Sequence, residues 1–161
     1  SSDGNWFNSF VIDKGSKDGL KVNMNVLAGD GLVGIVTEVN KSYARVRSII
    51  DDESSVTGSF LKTSDMCFVN GNLKLIGEGM IDISGIPADA EVKDGYEVVT
   101  SPVSDKYLPG ILIGYARDIK TDSSNITQSA HLTPAADFSG LDMVLVITEV
   151  KDSGDLEDIL N

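Results

Sequence analysis

The chain has 161 residues, with 13 basic against 25 acidic side chains, a formal charge of −12 and a pI near 4.3. Nucleic-acid binders hold phosphates with clustered Lys and Arg, and this balance, with no basic run to offset it, excludes backbone-reading nucleic-acid recognition. An apolar fraction of 41% is too high for a disordered acidic tail and marks a folded chain, long enough for one domain or for two small ones of roughly 70–80 residues.

β-Branched Val, Ile and Thr outnumber Ala and Leu, which favours pleated sheet over helix. Short apolar runs separated by turn residues predict strands at Ser9–Asp13, Met24–Ala28, Leu32–Val39, Ala44–Ile50, Val56–Leu61, Met66–Val69, Leu73–Ile76, Met80–Ile83, Glu97–Thr100, Ile111–Ile119, Thr127–Thr133 and Met143–Val150. This spacing reads as a sandwich or barrel. The sharpest turn signal is Asn70-Gly71, which predicts a two-residue hairpin because both residues tolerate positive φ. Short helical turns are expected at Asp3–Asn8 and Ala136–Leu141, and the acidic stretch 151–161 is expected to fray.

The two halves overlay. Leu20–Ala28 matches Val92–Thr100 at an offset of 72, and Gly34–Val39 matches Gly114–Ile119 at an offset of 80, so the second copy carries eight extra residues around Ser101–Pro109. Each copy reads as a strand, a turn and a second strand kinked at glycine. Two related small β-barrel-like domains follow, over 5–65 and 66–150, with 143–150 as a strand that could return to complete the first.

Candidate chemistry is sparse. One cysteine and one histidine cannot build a zinc framework. His131 would have to serve a hydrolase as its sole imidazole base, without a Gly-x-Ser-x-Gly elbow, and reads as an ordinary strand histidine. Asp152-Ser153-Gly154 imitates an aspartic-protease triplet but lacks its apolar flanks. Asp51-Asp52-Glu53 lacks the alternating ligands of a calcium loop. Cys67, between Met66 and Phe68, reads as a small buried hydrophobe. Gly29–Gly34 opens a strand, whereas a phosphate cradle opens a helix. No catalytic, metal or cofactor set emerges. Trp6 and Phe7 remain as interface candidates, with an end-plug of the first barrel as the plainer role. The longest apolar run, Met143–Ile147, is far shorter than the ~18–20 residues of a membrane span. The opening Ser1-Ser2, without an initiator Met, is what is expected of an excised piece, from which anchoring elements could have been removed upstream.

Asn5-Trp6-Phe7-Asn8, Val11–Gly19, Gly31–Gly34, Ala44–Val46, Asp51 with Ser54–Val56, Ile86–Gly95, Val98–Ser101, Pro109–Ile111, Pro134–Ser139 and Val144–Val146 together resemble the extracytoplasmic domain of the MreC family of rod shape-determining proteins. The resemblance covers about residues 5–150. It implies two six-stranded β-barrel-like domains, similar in shape to chymotrypsin-like proteases but without their catalytic residues. It also implies a membrane anchor through an N-terminal helix outside this sequence, and self-association. Its implied role is a non-enzymatic scaffold for cell-wall elongation, with MreD, RodA-type polymerases and penicillin-binding transpeptidases as partners. Exposed strand edges or loops would offer the contacts. The alternatives are an unconventional serine-type hydrolase using His131 and a cell-wall carbohydrate-binding module. Asn23 stands where the family has Gly, a replacement that Asn's tolerance of positive φ permits. Loop 102–108 lacks the family's paired glycines, so the resemblance implies nothing of its shape.

Overall fold

The structure, a computed structural model, describes residues 8–152. Eleven strands form: β1 (Ser9–Ile12), β2 (Asn25–Ala28), β3 (Gly31–Val39), β4 (Ala44–Ser48), β5 (Ser55–Phe60), β6 (Met66–Asn70), β7 (Ile81–Pro87), β8 (Glu97–Thr100), β9 (Leu112–Thr121), β10 (Thr127–Pro134) and β11 (Leu145–Val146). Among the described residues the helical content is two short 3-10 turns, Ser16–Asp18 and Ile76–Glu78. Strands β1-β4-β3-β2-β11 make an open five-stranded sheet, and β10-β7-β6-β5-β8-β9 close into a barrel.

Alternation sets the faces. Ile81 and Ile83 are buried while Asp82 and Ser84, alternating with them, are half-exposed, and in β4 Ala44, Val46 and Ser48 are buried with Arg45 and Arg47 outside. One apolar core runs through both sheets, from Val26, Leu32, Val36 and Val46 to Phe60, Val69, Ile83 and Leu132.

The internal repeat is visible in the backbone pairing. Val26 pairs with Gly34 and Val98 with Gly114, each followed by a register shift at the next residue of β2 or β8. Asn23 N–H donates to Val36 O and Gly95 N–H to Ala116 O. Val36 N–H donates to Met24 O and Ala116 N–H to Tyr96 O. Asn23 (φ +75°) and Gly95 (φ +92°) share the left-handed conformation, as Asn tolerates. A Cβ on Gly34 would lie 2.0 Å from Arg47 O, and one on Gly114 2.1 Å from Thr133 O, so both copies need glycine for close strand approach.

Several expectations are corrected. Asn70-Gly71 is not a two-residue hairpin: Asn70 ends β6, and residues 71–80 lead to β7. Gly71 is needed instead because a Cβ there would lie 1.9 Å from Asp51 O. Leu73–Ile76 is not a strand, since Asn72 Oδ1 accepts the N–H groups of Lys74 and Leu75 (3.1 and 3.0 Å) and bends the chain into the 3-10 turn. Of Met143–Val150 only Leu145 and Val146 pair, with Leu27 and Val26 of β2. The first sheet has five strands and stays open, where six in a barrel were expected. Strand β5, placed within 5–65 by the sequence reading, pairs with β6 and β8 of the barrel.

The eight-residue difference between copies has a structural use. The β2–β3 connection is a two-residue turn with Gly29 at φ +58°, whereas the β8–β9 connection is a longer loop that reaches the first sheet. Fully buried Asn25 of β2 receives it: its Nδ2 donates to Lys106 O (3.1 Å) and Asn23 O (3.2 Å), and its Oδ1 accepts from Leu108 N–H (2.8 Å). Asn25 O also accepts Ile147 N–H, so one residue joins the sheet, the barrel loop and the segment after β11. Buried Tyr107 of this loop has its hydroxyl pushed up to about 12 by burial.

Candidate interaction surface

The outer face of the barrel gathers the polar chemistry. Cys67 and Val69 of β6 point inward, leaving Met66, Phe68 and Asn70 outside. Phe68 lies against Gly85 of β7, whose added Cβ would stand 2.8 Å from the ring, and Gly85 itself has φ +69°. Beside it runs a hydrogen-bonded row: Ser55 Oγ donates to Asn70 Oδ1 (2.9 Å), and Asn70 Nδ2 to Ser84 Oγ (2.8 Å). Asn72 Nδ2 donates to Asp82 Oδ2 (2.8 Å).

His131 of β10 ends this row between two carboxylates. Its Nδ1 is 2.9 Å from Asp118 Oδ2, and its Nε2 is 3.9 Å from Asp82 Oδ1. Asp118 takes φ +55° in β9, and the Asp94 carboxylate fixes that bend by accepting the N–H groups of Asp118 and Ile119 (both 3.2 Å). The His131 hydrogen bond holds the Asp118 carboxyl below its usual range. Asn70, Asp82, Ser84, Asp118, Lys120 and His131 line a shallow recess of about 410 Å³.

This arrangement does not bring a serine nucleophile to the imidazole. Ser129 Oγ donates to Asp122 Oδ1 (2.8 Å), Ser84 Oγ accepts from Asn70, and His131 faces aspartate at both ring nitrogens. The Asp-His half of a hydrolase triad is present and the serine is not placed. Periodicity identified His131 as a strand residue, but the two aspartates come from β7 and β9, and no spacing in the sequence announces them.

The other singled-out residues are structural. Asp51 accepts from Asn8 Nδ2 (3.4 Å) and pairs with Arg47 Nε (3.5 Å), and Asp52 Oδ1 accepts Leu73 N–H (2.8 Å), so this turn fastens 71–75 to the first sheet. Burial inside the barrel pushes the Cys67 thiol up to about 12, which removes thiolate chemistry near neutrality. Trp6 and Phe7, with Asp155 to Asn161 and most of the Asp152-Ser153-Gly154 triplet, lie outside the described residues. Among the described residues the exposed aromatics Tyr43, Phe68 and Tyr115 stand before β4, on β6 and on β9. Among the described residues no helix is long and apolar enough to cross a membrane.

Comparison with known proteins places these features. The family model for rod shape-determining protein MreC, barrel core, matches residues 1–148. The cell shape-determining protein MreC of Listeria monocytogenes is 31% identical over 162 residues, covering 96% of this chain and 52% of the relative. The chain therefore spans about half the length of that relative. A solved structure of Listeria MreC superposes with a TM-score of 0.80 at 32% identity, covering 88% of this chain and 68% of the other. A chain of the complex between penicillin-binding protein PBP2 and MreC from Helicobacter pylori shares the fold, with a TM-score of 0.62 at 20% identity over 78% of this chain and 76% of that one.

Proposed function

This chain belongs to the MreC family of rod shape-determining proteins, and from that premise we propose that it is the extracytoplasmic part of a non-enzymatic scaffold of the cell-wall elongation machinery. In this reading the full-length protein is held at the cell membrane by an N-terminal helix, associates with itself, and binds peptidoglycan synthases so that assembly positions them. The family match across 1–148 carries the proposal. Two observations support it: the relative from Helicobacter pylori was solved in a complex with PBP2, and His131 here is not assembled with a serine. Trp6 and Phe7 are the proposed aromatic anchors, and MreD and a RodA-type polymerase are proposed as further partners.

The test pairs binding with reactivity. The full-length protein is expected to capture the transpeptidase ectodomain of its own organism, and Trp6→Ala with Phe7→Ala to weaken that capture. A fluorophosphonate probe is expected to leave the chain unlabelled. Serine labelling lost in His131→Ala would overturn the non-enzymatic reading, and no binding to the transpeptidase or to itself would overturn the scaffold.

A further inference from the structure

Asn70-Gly71 carries a chemistry that neither the fold nor the proposed function uses. In an asparagine–glycine pair the glycine nitrogen can attack the carbonyl carbon of the asparagine side chain. An N–Cγ bond forms, the Cγ–Nδ2 bond breaks, and the side-chain nitrogen leaves as ammonia with the proton of the glycine N–H. Water then opens the succinimide, at one carbonyl to give aspartate and at the other to give isoaspartate. Glycine permits this ring more readily than other residues, because it has no side chain to hinder the approach of its nitrogen. Asn70 is the one asparagine of this chain that glycine follows.

Tertiary packing uses both members of the pair. A Cβ on residue 71 would lie 1.9 Å from Asp51 O and 2.7 Å from Ile49 O, so the position admits only glycine. Half-buried Asn70, the last residue of β6, ties its two neighbouring strands together: Oδ1 accepts from Ser55 Oγ of β5 (2.9 Å) and Nδ2 donates to Ser84 Oγ of β7 (2.8 Å). The same contacts hold the reaction off. They fix the side-chain amide on the flanking strands, and the attacking nitrogen is itself engaged, its N–H donating to Ser54 O (3.0 Å). Two residues on, Leu73 N–H donates to Asp52 Oδ1 (2.8 Å), which seats 71–73 on the 51–54 turn.

We infer that Asn70 is a self-modification site gated by the fold: it stays intact while 70–73 are seated on the 51–54 turn, and converts to aspartate or isoaspartate when this corner opens. Water is the only co-reactant, and loss of ammonia makes the change irreversible. Neither product restores the corner. Aspartate lacks the Nδ2 donor to Ser84 and sets a new carboxylate beside Asp82, the register partner of residue 70 on β7. Isoaspartate adds a carbon to the backbone path of β6 and breaks its register with Ser55 and Asp82. The recess that Asn70 shares with Asp82, Asp118 and His131 gains a negative charge in either case. This corner is also where the barrel meets the first sheet, since Asp51 pairs with Arg47 of β4, so conversion records how often the two part there.

Peptide mapping by mass spectrometry after long incubation at neutral pH tests the inference, with isoaspartate resolved from aspartate by chromatography. Conversion at Asn70 is expected to run at least about tenfold faster in the urea-unfolded chain than in the folded one. Ser84→Ala, and separately Asp52→Ala, leave the reacting pair untouched. Each is expected to raise the folded rate roughly fivefold, the change in open population that one lost hydrogen bond gives, and to leave the rate in urea unchanged. Asn70→Gln keeps an amide but needs a larger ring, and is expected to remove the mass gain. Equal rates in the folded and unfolded chain overturn the gating, as does a wild-type rate in both Ser84→Ala and Asp52→Ala. No conversion at Asn70 in urea, or a mass gain that persists in Asn70→Gln, overturns the site itself.

Discussion

The open sheet and the closed barrel are two versions of one strand–turn–strand unit, alike to the level of single hydrogen bonds around Asn23 and Gly95 yet different in closure. Their difference teaches that the local unit does not decide whether a sheet closes. Closure depends on a strand outside the unit, β6 in the barrel, which satisfies both neighbouring edges. The loop inserted in the second copy then does what the first copy's two-residue turn cannot, reaching across to Asn25 and joining the two.

Substitution at the paired glycines gives the largest break in this comparison. Gly114→Ala is expected to cost about 3 kcal/mol, because the closed barrel cannot move Thr133 O away from the new methyl, while Gly34→Ala in the open sheet is expected to cost about 2 kcal/mol. Urea unfolding of the two variants checks this, and equal costs would show that closure adds no rigidity. Next comes the joint itself. Asn25→Ala leaves Leu108 N–H and Lys106 O without their side-chain partner, an expected loss of about 2–3 kcal/mol, and should speed amide exchange in loop 101–111 before the barrel strands.

Smaller effects sharpen the equivalence of the copies. Asn23→Ala should destabilise by about 1 kcal/mol because Ala lacks the short polar side chain that lets Asn tolerate φ +75°, whereas Asn23→Gly, which installs the second copy's residue, should be nearly neutral or stabilising. The smallest effect is confined to acid. The Asp118 carboxyl is held low in the folded protein, so its contribution is complete above its unfolded value, near 3.9, and is lost as pH falls through the lower folded value. Asp118→Asn should therefore cost stability near neutrality and lose its disadvantage in strong acid. Chemical denaturation between about pH 2 and 6 reads this, and a difference that does not vary with pH would remove the His131 pairing as its cause.

Much of the fold was legible because strands announce themselves by alternation. Glu97–Thr100 and the paired Gly34 and Gly114 could be read from the residues alone. Leu73–Ile76 could not, because its apolar residues share a strand's composition and only the Asn72 side chain bends the backbone away. Gly71 was read as a turn glycine, but what requires it is a carbonyl twenty residues upstream. At the candidate surface His131 was found by type, while Asp82, Asp118 and Asp94 were lost among many acidic residues of similar local context.

The sequence by itself determined that this protein is all-β, duplicated and similar to the MreC family, since composition, period-two alternation and repeated local motifs are properties of neighbouring residues. The tertiary structure decided which strands pair and which sheet closes. It also decided that the inserted loop docks on Asn25 and that His131 meets aspartates in place of a serine. Those outcomes join residues from distant parts of the chain, and their energies come from burial and from satisfying buried polar groups, which exist only once the strands have met.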